Sequence, residues 1–134
     1  MSEHEIVTAP ELAEPIGYAH AVVAAAGRVV HLGGATAMDD SGRIVGETFA
    51  EQFEVALRNL VAAMRAADCA PADLVSLQIF VTSMEEYRAS LPELAPIWRA
   101  GLGRRYPAMG AFGVSALFDP DAKVELMGVA VRPG

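Results

Sequence analysis

The C-terminal third of the chain constrains the fold more than any other stretch. The sequence predicts two β-strands here, Met109–Leu117 and Lys123–Val131, joined by the turn formers Asp119, Pro120 and Asp121. The second strand is almost continuously apolar, whereas a strand with one face in water alternates apolar with polar residues. We therefore expect both faces of this predicted hairpin to be covered by other protein surface.

Two segments have helical periodicity, enough to cover one face of a sheet. Thr48 and Glu51 form a capping-box pattern, which predicts a helix start before the apolar stripe Phe49, Phe53, Leu57, Leu60 and Met64. Ser83 is predicted to cap a helical turn, and a second stripe follows at Leu91, Leu94, Ile97 and Trp98. Pro96 predicts a kink or restart in this helix, and Gly101 and Gly103 predict its end. The uncovered sheet face then predicts a partner, most simply another copy of the chain.

The remaining strands complete a single α+β domain over residues 1–134. Residues 1–14 are interpreted as a tail or edge segment. Ala19–Ala26 and Arg28–Thr36 are predicted to form a hairpin around Gly27, and Leu74–Thr82 is predicted as the central strand.

Composition excludes several classes of function. The net charge is −7, with 17 acidic against 10 basic residues, which disfavours nucleic acid as a partner because binding draws on Lys and Arg. No apolar run is long enough to span a membrane, and no signal peptide is recognisable, so we expect a cytoplasmic protein. The single Cys69 excludes an internal disulfide. Asp39 and Asp40 are interpreted as a solvated turn, and no metal or other cofactor is expected.

A resemblance to a known family is carried by Tyr106-Pro107-Ala108 and by the last strand, Lys123–Val131. Over about Pro15 to Val131 the chain resembles the RidA/YjgF (L-PSP) family. The resemblance implies a chorismate-mutase-like (ferredoxin-like) mixed sheet with two helices on one face, assembled as a homotrimer. It also implies imine or enamine deamination, since several members are deaminases of this kind.

The chain departs from the deaminating members at two positions. Those members carry an arginine directly after the Pro-Ala pair, where this chain has Met109, and a glutamate where it has Met127. The arginine is understood to hold the substrate carboxylate and the glutamate to orient water, and a thioether can do neither. We expect the two methionines to lie side by side on paired strands, in a largely uncharged cleft.

The resemblance implies a ligand site in the clefts between subunits. The candidate cleft residues are Tyr18, Leu32, Gly33, Tyr87, Met109, Ala111, Phe112 and Met127. Tyr18 and Arg105 are the candidate catalytic residues, Arg105 as a replacement for the missing arginine. The alternative for Arg104 and Arg105 is a solvated loop, and His20 and His31 are interpreted as structural.

Three hypotheses for function remain open at this point. The first is a hydrolase of enamine or imine C=N bonds whose substrate is larger or less charged than a small 2-imino acid. The second is a non-catalytic trimer that binds a small-molecule metabolite in its clefts. The third is a structural or interaction protein whose clefts are filled by side chains.

Overall fold

The computed structural model describes residues 3–134. Six strands and two α-helices follow one another along the chain: β1 Glu5–Val7, β2 Ala21–Val23, β3 Gly27–Ala35, α1 Phe49–Ala66, β4 Leu74–Val81, α2 Met84–Leu102, β5 Ala108–Gly113 and β6 Val124–Pro133. A 3₁₀ turn, Pro71–Asp73, precedes β4.

Four of the strands form a mixed sheet in the order β3-β6-β4-β5. β4 and β5 are parallel because α2 connects them as a crossover, while β6 is antiparallel to both β3 and β4. β1 and β2 form a separate two-stranded antiparallel sheet. The α+β fold with two helices on a mixed sheet is thus confirmed.

The predicted C-terminal hairpin is wrong, because β4 lies between β5 and β6. The crossover through α2 sets β5 on the outer edge of β4. β6 takes the position between β3 and β4, where both of its edges are hydrogen-bonded. The most apolar strand is therefore a central strand, which explains the absence of alternation without a tight turn.

The predicted N-terminal hairpin around Gly27 is also wrong. β2 pairs with β1, and β3 begins at Gly27 itself. A Cβ atom added at Gly27 would lie 2.9 Å from the Cα atom of Pro133 and would overlap the carbonyl of Arg132. Glycine is required here by the close approach of β3 to β6 rather than by a turn.

The helix ends follow the predicted capping chemistry. The Thr48 hydroxyl accepts a hydrogen bond from the Glu51 amide, and the Glu51 carboxylate accepts from the amides of Thr48 and Glu47, which lowers the pKa of Glu51. Ser83 caps α2, and Gly103, at φ 85°, ends it. The predicted restart at Pro96 is wrong, because α2 is continuous from Met84 to Leu102.

The hydrophobic core lies between the two helices and one face of the sheet. Its strand residues occupy alternate positions, including Leu77, Ile79 and Val81 of β4 and Val124 and Leu126 of β6. We call the opposite side, with Val29, Phe112 and Met127 at its surface, the open face. The chain exposes 7909 Å², more than the roughly 6,700 Å² that size scaling gives for a compact chain of this mass.

Candidate ligand cavity between α2 and β5

A cavity of about 320 Å³ lies on the helix side of the sheet, at the edge formed by β5. Residues of both helices, of β5 and of the segment before β2 line it: Ile16, Gly17, Phe53, Tyr87, Leu91, Leu94, Ala95, Trp98, Tyr106 and Met109. None of these side chains carries a charge. We call this space the α2–β5 cavity.

Aromatic rings form two walls of the α2–β5 cavity. The Trp98 and Tyr106 rings stack with centroids 5.4 Å apart and planes 22° apart. Trp98 is almost fully buried, and its indole N–H donates a hydrogen bond to the carbonyl of Arg105 at 3.4 Å. On another side Tyr87 packs its ring edge against Phe49, with centroids 5.7 Å apart. These contacts hold the aromatic rings in place, so the walls of the cavity exist before any ligand binds.

Two phenol groups are the polar features of this lining. Within residues 3–134, neither the Tyr87 nor the Tyr106 hydroxyl makes a hydrogen bond to the protein. Burial raises the pKa of Tyr87, so its hydroxyl keeps its proton at neutral pH. The lining therefore includes two phenol groups but no ionic partner for an occupant.

The rim of the α2–β5 cavity is apolar and exposed. Ile16 is 87% exposed and Leu91 is 46% exposed. Large aliphatic side chains left in water at the edge of a concave site are a typical feature of an interaction surface.

The structure divides the predicted cleft residues between the two faces of the sheet. Tyr87 and Met109 line the α2–β5 cavity. Ala111 packs on the core beside Met109, whereas Leu32 is only 4% exposed and belongs to the core itself. Tyr18 directly follows Gly17 of the cavity lining, and its ring contacts His20 edge to face at 5.9 Å.

The remaining cleft residues lie on the open face or at its edge. Met109 is registered opposite Leu77 of β4, and Met127 is registered opposite Gln78. Because neighbouring positions of a strand point to opposite sides, the two methionines lie on opposite faces of the sheet. The expectation that they lie side by side is wrong within one chain. Phe112 shares the open face with Met127, and Gly33 is exposed at the irregular part of β3.

Arg105 is engaged outside the α2–β5 cavity. Its guanidinium donates a hydrogen bond to the carbonyl of His4 at 3.0 Å, next to a separate cavity of about 10 Å³. The His4 ring lies in the same region. Its Nδ1 atom accepts a hydrogen bond from the Ala25 amide, and its Nε2 atom lies 2.9 Å from the carbonyl oxygen of Val131. Arg105 therefore ties the N-terminal segment to the loop before β5.

His20 has a structural environment of the same kind. Its Nδ1 atom accepts a hydrogen bond from the Ala9 amide, and its Nε2 atom lies 2.9 Å from the carbonyl of Ala13. Both ring nitrogens are occupied by backbone groups. This geometry agrees with the structural interpretation of His20 made from the sequence.

The sequence did not identify Trp98, Tyr106 or Phe53 as lining a cavity. Trp98 and Phe53 belong to apolar helical stripes, which predict a core whether or not the core contains a gap. Tyr106 was noticed only as part of the Tyr-Pro-Ala motif. No periodic signal separates a ring in a filled core from one beside a cavity.

One carboxylate on the open face also escaped the sequence analysis. A Cβ atom added at Gly34 would overlap the Glu125 carboxylate, so glycine allows this side chain to lie against the backbone of β3. Within residues 3–134, Glu125 forms no ion pair closer than 4.0 Å. The open face thus carries an acidic group, unlike the lining of the α2–β5 cavity.

The described residues contain no cluster of three or more His, Cys, Asp or Glu side chains suited to a metal ion. Neither helix of that part is long and apolar enough to cross a membrane.

These features define a class of protein: a small α+β domain with an uncharged, aromatic cavity at the edge strand of its sheet. The chain belongs to the family described as Endoribonuclease L-PSP, which matches residues 8–132. The resemblance to the RidA/YjgF (L-PSP) family is confirmed.

Solved structures give the same result. The chain is similar to YyfB from Yersinia pestis, a protein of unknown function in the Rid family, at 28% identity and a TM-score of 0.86, over 96% of this chain and 98% of that one. It is also similar to RidA from an Antarctic Psychrobacter, at 25% identity and a TM-score of 0.67, over 95% and 98% of the two chains. No curated protein matches the sequence.

Proposed function

We propose that this chain is a small-molecule-binding protein of the Rid family and that the α2–β5 cavity is its ligand site. The observation that carries the proposal is a preformed concave space whose lining has aromatic walls and two phenol hydroxyls with no hydrogen-bond partner among residues 3–134. Ligand sites are typically apolar cavities with a few polar groups that orient the ligand. A purely structural role would not require this volume to stay open.

We further propose that the protein acts as a homotrimer in the cytoplasm, without a cofactor. The exposed apolar side chains of the open face, the excess surface and the apolar rim at Ile16 all support self-association. In such an assembly a neighbouring subunit covers the mouth of the α2–β5 cavity. Met127, Phe112 and Gly33 of one subunit can then meet Tyr18, Tyr87, Met109 and Ala111 of another in an inter-subunit cleft.

Hydrolysis of an enamine or imine is a second candidate function. It adds water across a C=N bond and releases ammonia and a carbonyl compound. Family membership favours this reaction, and the Tyr87 and Tyr106 hydroxyls provide proton donors beside the bound molecule. Tyr18 remains a candidate at the mouth, whereas Arg105 is held by His4 and has no role in this proposal.

Cleavage of RNA, which the family description suggests, receives no support from this chain. Its net charge of −7 opposes binding to a phosphate backbone. The aromatic rings of the α2–β5 cavity lie against α2 and the loop before β5, where they do not form an exposed stacking platform.

Trp98 is the only tryptophan, so its fluorescence reports directly on the α2–β5 cavity. We would titrate the protein with a set of small aromatic and aliphatic ketones, amides and acids. Ala95→Phe, which fills the cavity, should abolish any saturable change in fluorescence. Ala89→Phe, the same substitution at an exposed position of α2, should preserve it.

Two results would contradict ligand binding in this cavity. One is the absence of saturable binding of any compound to the wild-type protein. The other is equal binding to wild type and Ala95→Phe. In separate samples, the N–H imines of the ketones that bind would be supplied instead, and release of ammonia faster than in buffer alone separates a hydrolase from a carrier.

A further inference from the structure

We infer that the α2–β5 cavity selects uncharged ligands that carry an aromatic ring and a hydrogen-bond acceptor, and that it discriminates against carboxylates. The inference rests on the proposed function, because it specifies the ligand of the same site.

The discrimination against anions follows from the lining. None of the ten lining residues is Lys, Arg or His, and the nearby Arg105 donates instead to the carbonyl of His4. A carboxylate that enters such a site gives up its hydration without gaining an ionic partner, so it binds less tightly than an uncharged molecule of the same shape. The acidic net charge of the chain adds a repulsive field.

The preference for an aromatic ring follows from the walls. The Trp98 and Tyr106 rings are 22° from parallel, and Trp98 is buried and hydrogen-bonded. An aromatic ring of a ligand can lie against them with offset stacking, which adds to the gain from apolar burial. The volume of about 320 Å³ is at the small end of ligand sites.

The requirement for an acceptor follows from the two phenols. Tyr87 and Tyr106 offer hydroxyl protons that no described protein group accepts. Burial raises the pKa of Tyr87, which keeps it a donor over the physiological range. A carbonyl oxygen or an imine nitrogen is a matching acceptor.

A matched pair of probes tests the inference. Phenylacetone and phenylpyruvate share a benzyl group and a ketone, but the first carries a methyl group where the second carries a carboxylate. In isothermal titration calorimetry the wild-type protein should bind phenylacetone at least about tenfold more tightly.

Met109 provides the complementary substitution, because it lines the cavity and can be replaced by a cation. Met109→Arg should reverse or remove the preference for phenylacetone, since a guanidinium binds a carboxylate with two hydrogen bonds. Met109→Leu, which keeps the site apolar, should retain the wild-type preference.

The outcomes separate this inference from the proposed function. Equal affinity for the two probes, or a preference for phenylpyruvate, would overturn the selectivity while leaving the cavity as the ligand site. Failure of both probes to bind would also overturn the selectivity. The proposed function would fall with it only if the wider set of compounds titrated against Trp98 also showed no binding.

Discussion

The two faces of the sheet present apolar surfaces of different shape. On the helix side, Met109 borders a concave space backed by Trp98 and containing phenol hydroxyls. On the open face, Phe112 and Met127 are 46% and 47% exposed, and Phe112 packs its ring against Phe80 at 5.9 Å. A concave site can surround a small molecule, whereas a broad apolar surface fits another protein surface. One strand, β5, therefore contributes to two apolar surfaces, each suited to a different kind of partner.

The two surfaces also differ in charge. The lining of the α2–β5 cavity has none, while the open face includes the Glu125 carboxylate beside Gly34. If another subunit covers the open face, Glu125 must receive a hydrogen-bond donor or keep contact with water, because an unpaired buried carboxylate is costly. In such an assembly we expect the acid group to lie at the protein interface rather than in the ligand cavity.

The largest expected effect is the loss of self-association when charge is placed on the open face. Phe112→Asp combined with Met127→Asp would bury two unpaired carboxylates at each interface. At several kcal/mol per ion, the assembly should weaken by at least about a thousandfold. Sedimentation velocity should show a trimer for the wild type and a monomer for the variant.

Ala63→Asp, on the exposed side of α1, is the control and should remain assembled. Circular dichroism should show that the double variant keeps its fold, since neither side chain belongs to the buried core. If the double variant sediments like the wild type, the open face is not the interface between subunits.

The sequence predicts the helices and the capping residues well because their signals are local. Thr48, Glu51 and Ser83 act on neighbouring amides, so their roles can be recognised within four residues. Both hairpin predictions failed because strand pairing depends on distant segments: β4 separates β5 from β6, and β1 takes the edge of β2. The pattern identified the apolar strands but could not rank them within the sheet.

The same limit applies to the site. Met109 was recognised as a departure from the deaminating relatives, yet its partners Trp98 and Tyr106 were not, because they come together only when α2 packs beside β5. Met127 was grouped with Met109 through the wrong strand pairing. Arg105 shows a related difficulty, since its neighbour His4 lies 101 residues away in sequence.

The next effect concerns stability rather than recognition. Arg105→Met removes a charge-assisted hydrogen bond to the carbonyl of His4, which should lower the free energy of unfolding by about 2 kcal/mol. Urea denaturation measures this loss. Ligand affinity at the α2–β5 cavity should stay unchanged, because the guanidinium lies outside it.

Arg104→Met is the matched control, since Arg104 is the exposed neighbour and forms no side-chain hydrogen bond to the described residues. It should leave the urea midpoint unchanged. If Arg105→Met lost ligand binding without losing stability, Arg105 would be a ligand-binding residue after all.

A smaller effect is expected from removing the hydroxyls of the α2–β5 cavity. Tyr87→Phe and Tyr106→Phe keep the rings and therefore the walls, but each removes one donor. Affinity for phenylacetone should fall by about two- to tenfold in the variant whose hydroxyl binds the ketone. Ser41→Ala, which removes an exposed hydroxyl outside the lining, is the control in titrations monitored by Trp98. Unchanged affinity in both cavity variants would mean that burial and stacking alone hold the ligand.

The smallest effect is expected from pH. Because no lining residue is acidic, basic or a histidine, phenylacetone binding should be constant between about pH 6 and pH 9. Burial raises the pKa of Tyr87 above its ordinary value of 10.0, so the folded protein holds this proton more tightly than the unfolded chain. Its effect on stability is therefore absent below about pH 10 and becomes unfavourable as pH rises further. Tyr87→Phe should unfold less steeply in alkali than wild type, as followed by circular dichroism. A fall in phenylacetone affinity across neutral pH would instead indicate a titrating group that a neighbouring subunit brings to the mouth of the cavity. The α2–β5 cavity and the open face of that neighbour would then form one site.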